Sequence, residues 1–71
     1  MNEQIIEGTV IPVKVHYLDE NGIGTSYRTF WRIARRYQVH GNRETVLVRI
    51  HGSAVFAERY PSTMWIVRWS K

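Results

Sequence analysis

Between Ile11 and Leu18 apolar and polar positions alternate. Ile11, Val13, Val15 and Tyr17 fall on one side, and Pro12, Lys14, His16 and Leu18 on the other. A period of two predicts a half-buried strand. Pro12 has no N–H to give a ladder, which places that part of the strand at an edge or a bulge, and Gly8 weakens pairing upstream. The stretch 19-DENGIG-24 follows, and its Asn21-Gly22 pair between alternating runs signals a hairpin turn, because both residues tolerate positive φ. Neither a dinucleotide fingerprint nor a Walker pattern follows the Gly-x-Gly here, so a turn accounts for it.

The next segment, 28-RTFWRIARRYQVHGNR-43, fits two periods. As a strand it places Tyr27, Thr29, Trp31, Ile33, Tyr37 and Val39 on one face, with Arg28, Phe30, Arg32, Ala34 and Arg36 on the other. As a helix it gathers Phe30, Ile33, Ala34 and Tyr37 into an apolar stripe with the arginines opposite and Gly41 as a C-terminal cap. The preceding turn asks for a strand partner, and Tyr, Thr, Phe, Trp, Ile and Val suit a pleated surface. The strand is the preferred reading, and a longer amphipathic helix over about 26–38 is the alternative.

Beyond 40-HGNR-43 the alternation resumes from Thr45 to His51, with Val46, Val48 and Ile50 opposed to Leu47, Arg49 and His51. Ser53 can cap a short helix over 53–60, with Phe56 and Tyr60 four apart and Pro61 stopping it. In 64-MWIVRWS-70, Trp65, Val67 and Trp69 share a face, and both faces are largely apolar. That strand belongs inside the sheet, under the short helix. The expected fold is mainly β or α+β: a small antiparallel meander of about four strands with one short helix near 53–60. Trp31, Tyr37, Trp65 and Trp69 are expected in the core, and Phe30 is the ring that the strand pattern exposes.

Length and composition narrow the class. The 71 residues form one small domain, spanning 1–71, in which only about 60% of the unfolded chain's surface can be buried. There is no cysteine, hence no disulfide and no thiolate metal site. Without a basic leader or a long apolar run, neither a signal peptide nor a membrane span is expected, and the cytoplasm is the expected location.

Charge is distributed unevenly. Of the net +4, the stretch from Asn21 to Arg43 contributes +5 through Arg28, Arg32, Arg35, Arg36 and Arg43, with no acidic residue. The remaining five basic and six acidic residues leave −1. Arginine outnumbers lysine eight to two, and planar guanidinium favours bidentate phosphate contacts and stacking on rings.

Candidate chemistry is sparse. His16, His40 and His51 lack metal-ligand spacing, so no metal or other cofactor is expected, and each reads as a surface imidazole. Asp19 and Glu20 sit in the turn, where a catalytic acid–base pair lacks the environment it needs. No nucleophile elbow or triad order is present, nor is the RNA-recognition aromatic motif, the KH glycine loop or zinc-finger spacing. The chain reads as a non-enzymatic binding protein. Its candidate surface is Arg28, Phe30, Arg32, Arg35, Arg36 and Arg43, contacting single-stranded or duplex nucleic acid. The bland reading makes these arginines the solvated face of an amphipathic element. The functional alternative is a protein–protein module that regulates or inhibits a larger protein or nucleoprotein complex, since Arg, Trp and Tyr also dominate interface hot spots. An anionic membrane surface is a third partner class.

Overall fold

Alternating residues become strands throughout the structure, a computed structural model that describes residues 6–59 and 64–70. Among these residues six strands follow in order: β1 (Val10–Leu18), β2 (Gly24–Ile33), β3 (Arg35–His40), β4 (Arg43–Ile50), β5 (Ser53–Arg59) and β6 (Trp65–Ser70). They form one sheet in the order β2-β1-β6-β5-β4-β3. Neighbours are antiparallel except β1 and β6, which run parallel with Val13 beside Trp65 and Val15 beside Val67. The mainly β class is therefore right, while the four-strand count and the short helix are not.

The expected helix over 53–60 is strand β5 as far as Arg59, and Tyr60 and Pro61 lie outside the described residues. Its cause lies in the preceding turn. His51 and Gly52 have φ of 49° and 81°, so both central residues are left-handed. Two such residues make the tight turn that matches the twist of paired strands, and Ser53 is returned directly opposite Ile50. At the β1–β2 turn Gly22 takes positive φ, at 79°, and the Asn21 and Ile23 N–H groups both donate to Asp19 Oδ1 at 2.9 Å. The loop is thus longer than a two-residue Asn-Gly turn.

The alternative helix over 26–38 is also absent. Two strands occupy that region, and the chain changes partner between them. Ala34 N donates to Thr9 O at 2.9 Å and Ala34 O accepts from Gly8 N at 2.8 Å, which extends the pairing with the β1 side. The next residue, Arg35, stands opposite Leu47 of β4. Because β2 and β3 terminate the strand order at opposite ends yet are separated by one residue, the sheet must curl until those ends approach. Arg32 Nε reaches across the gap to Arg49 O at 2.9 Å.

Pro12 lies on an interior strand rather than an edge, but β6 pairing begins at Val13. The missing N–H therefore falls where, among the described residues, β1 pairs with β2 alone. The concave face of the curl is the core: Ile11, Val13 and Val15 of β1, Ala34, Val46, Val48 and Ile50 of β4, Ala57, Trp65 and Val67. The expectation that Trp65 is deeply buried holds. Trp69 and Tyr37 are half-buried against this core. Trp31, expected inside, is 64% exposed. Among the described residues no helix covers β6; at one end of the core face, Arg59 lies over the Trp65 ring at 4.5 Å.

That arginine is held by Glu44. Its Nη2 donates to Glu44 Oε1 at 2.6 Å and its Nε to Oε2 at 3.3 Å, while the Tyr37 hydroxyl donates to Oε1 at 2.7 Å. The Arg59 hydrogen bonds hold the Glu44 carboxyl below its ordinary value against the opposing effect of burial, with Tyr37 adding to the lowering.

Two outcomes follow from these contacts. Ala34 has no exposed surface, so Ala34→Leu must force atoms into a filled site; urea unfolding should show a loss of about 1–3 kcal/mol. Ionised Glu44 stabilises the fold at pH values above the unfolded carboxyl's titration, and this is lost as pH falls through the lower folded value. The stability gap between the parent and Glu44→Gln should therefore be widest near neutral pH and shrink on acidification, as measured by denaturant midpoints across pH 2–7.

Candidate nucleic-acid interface

The strand pairing decides which way each candidate arginine faces. Val15, Val13 and Ile11 stand opposite Arg28, Phe30 and Arg32. Directly opposed residues share a sheet face, so these three β2 side chains lie on the core side and not on the outer one. Phe30 is consequently half-buried and packed on the core, which corrects its expected exposure. The guanidinium carbons of Arg28 and Arg32 sit 5.2 and 4.9 Å from its ring centre. These are cation–π distances. Arg32 is further committed by its bonds to Arg49 O and, through Nη1, to Trp31 O, both at 2.9 Å. Arg28 and Arg32 thus roof the open end of the core.

Beside that roof is a cluster that the sequence did not announce. Tyr17 Oη and His51 Nε2 are hydrogen-bonded at 2.6 Å, and the His51 ring meets Phe30 and Trp69 edge-on at centroid distances of 5.5 and 5.1 Å. His51 is solvent-exposed as expected, yet its ring ties the β4–β5 turn to β1, β2 and β6. The positive φ of His51 that turns its ring to this cluster leaves no mark in the sequence.

The opposite face of β2 carries Tyr27, Thr29, Trp31 and Ile33. Trp31 and Ile33 line a groove with Val10, Arg32, Arg35, Leu47, Val48, Arg49 and Ala54. It runs along the seam where β2 approaches β4, and its lining includes three arginines and no carboxylate. Arg49 is steadied by Gly52 O, to which its Nη1 donates at 3.2 Å. Arg35 points to this outer face; among the described residues its side chain has no hydrogen bond or ion pair, and neither has that of Arg36.

Arg36 occupies the bulge between Arg35 and Gln38, with φ at 51°. Arg43 begins β4 beyond the Gly41-Asn42 turn and lines a second depression with Gln38, His40, Thr45, Phe56 and Glu58. Glu58 is paired with Arg68 across 4.0 Å.

The six candidates therefore separate. Arg28, Phe30 and Arg32 form one packed unit on the core side, while Arg35 and Arg43 reach the outer face and Arg36 projects from the bulge. Trp31, expected in the core, and Phe56, expected on a short helix, join the outer face with Leu47 and Arg49, none of them among the six candidates. Among the described residues no group of three or more His, Asp or Glu side chains is arranged to hold a metal, and no helix is long and apolar enough to cross a membrane. Comparison with protein-family models, with curated proteins and with solved structures returned no match.

The left-handed backbone at Arg36 costs an L-residue about 1–2 kcal/mol, of which glycine's greater unfolded freedom returns a part. Arg36→Gly should therefore raise stability by about 0.5–1 kcal/mol in urea unfolding, a gain that no lost side-chain contact offsets.

Proposed function

We propose that this chain is a non-catalytic nucleic-acid-binding protein whose contact surface is the arginine-lined seam on the outer face of the sheet. One observation carries this reading: Trp31 stands 64% exposed in a groove with three arginines and without a carboxylate. An exposed flat ring accepts a base, and guanidinium groups accept the phosphates on either side of it. Arg35 and Arg36 are free to do so. Arg28 and Arg32 support the surface by fixing Phe30 and the seam, and they make a secondary contribution through their charge. The action is binding, as an accessory or regulator of a larger nucleoprotein assembly, and the chemistry of any such assembly resides elsewhere.

A second reading has its own support. Val10, Ile33 and Leu47 make much of the groove apolar, and Trp with Arg is the composition of protein hot spots. An acidic protein segment would satisfy the same lining.

Titration against single-stranded and duplex oligonucleotides at several salt concentrations separates the two. Replacing Arg35 and Arg36 together by glutamine should flatten the log–log salt dependence on single strands by about 1.4 units, at about 0.7 per phosphate contact. Melting temperature should hardly change, because both side chains are unpaired and exposed. Unchanged affinity and salt slope in the double variant, or a parent that binds no oligonucleotide, would refute the nucleic-acid reading. A stoichiometric complex recovered from nuclease-treated lysate would then favour the protein partner.

A further inference from the structure

Phe56 is 52% exposed, although it sits in the middle of a strand. Register places it opposite Leu47 of β4, and Leu47 in turn opposite Arg35 of β3. Arg35, Leu47 and Phe56 therefore form one row across three neighbouring strands, all on the outer face. At a strand spacing of about 4.8 Å, the row carries the outer surface roughly 10 Å from β3 to β5. Arg35 and Leu47 also line the seam groove with Trp31, and Phe56 borders the depression beyond, with His40 and Arg43. Trp31 and Phe56 thus border one surface, with Leu47 as an apolar floor adjoining both and Arg35 beyond Leu47 on the side away from Phe56.

From this arrangement we propose that the outer face is a two-ring track for single-stranded nucleic acid, with one base stacked on Trp31 and another on Phe56. This inference rests on the nucleic-acid reading above and extends it in two ways: it names the substrate as an unpaired strand, and it makes Phe56 a contact residue. A base can stack on a protein ring only when its own face is free, and a duplex hides those faces. The rings lie on a pleated face from which, among the described residues, no helix projects to enter a major groove, and Arg35 and Arg49 line the groove at the Trp31 end. Positive charge continues along the far ring's side through Arg43. The single carboxylate there, Glu58, faces Arg68. The track reads stacking faces and leaves base edges uncontacted, so it accepts varied sequences. A ribose hydroxyl is not required, and DNA and RNA strands share the chemistry it recognises.

The test uses the full chain with fluorescently labelled ten-nucleotide oligo(dT), oligo(U) and a duplex of the same length. Phe56→Ala should weaken binding to both single strands by about 5- to 150-fold, the effect of losing one stacked base. The slope of affinity against salt should stay at the parent value, because the ring carries no charge. Trp31→Ala should act in the same way, and Trp31→Phe should retain much of the binding while losing most of the tryptophan quenching on titration. Retained chemical-denaturation midpoints in these exposed-site variants exclude misfolding as the cause, and Phe56→Tyr, which keeps the stacking face, should restore affinity.

Three results would overturn the track. If Phe56→Ala binds as the parent does while Trp31→Ala and the Arg35/Arg36 variant fail, the site has one ring and the broader nucleic-acid reading survives. Duplex bound as tightly as single strands would remove the substrate assignment. A parent that retains an acidic peptide but no oligonucleotide would remove both this inference and the reading beneath it.

Discussion

Ala34 pairs backward with Gly8 and Thr9, and Arg35 pairs forward with Leu47. One chain segment must therefore serve two strands that lie far apart in the sheet order, and the sheet can do this only by curling. The residue at the transfer point faces inward with no exposed surface, so its side chain must be small. Alanine fits where a β-branched neighbour would crowd β4. From this single passage come the concave core, the seam between β2 and β4, and the outward placement of Trp31 beside Arg49.

The same curl sorts the arginines by role. Arg59 and Arg68 face Glu44 and Glu58, so their charge is balanced where it stands. Arg28 and Arg32 spend their flat faces on Phe30, where an edge strand leaves a core ring without a protein cover. Just past the bend, Arg35 and Arg36 have no ion pair among the described residues, with the Glu7 carboxylate held nearby on the Tyr37 N–H at 2.8 Å. The acid-free stretch is thus neither one continuous ladder nor one solvated face. Its first half closes the core, and Arg35 and Arg36 in its second half stand without an ion pair among the described residues near an exposed indole.

Much of this was legible along the chain. The alternation of Ile11, Val13 and Val15, of Val46, Val48 and Ile50, and of Trp65 and Val67 marks the buried face wherever the strands are regular. The orientation of β2 was also accessible through the turn. Centring a hairpin on Asn21-Gly22 pairs Val13 with Phe30 and Val15 with Arg28, which is the register observed. With Val13 buried, that register turns Phe30 inward and Trp31 outward, against the ordinary preference of a tryptophan for the core. Local patterning alone could not reveal the change of partner at Ala34, because no glycine or proline marks it. Nor could it show that His51, with its Cβ, adopts the left-handed conformation that Asn or Gly usually supplies. The outer row of Arg35, Leu47 and Phe56 depends on register among three strands and appears only once they are assembled.

β2 is ten residues long, and its side away from β1 carries no ladder among the described residues. A strand of that length, rich in Tyr, Thr, Phe, Trp and Ile, is a template onto which other chains can add and grow into aggregates. Charged residues pointing inward from an edge strand are a known deterrent, because an incoming strand would have to bury them. Arg28 and Arg32 occupy that position. The two guanidinium groups that cover Phe30 therefore also act as gatekeepers of solubility. Replacing either arginine by an apolar residue would open that edge to self-association.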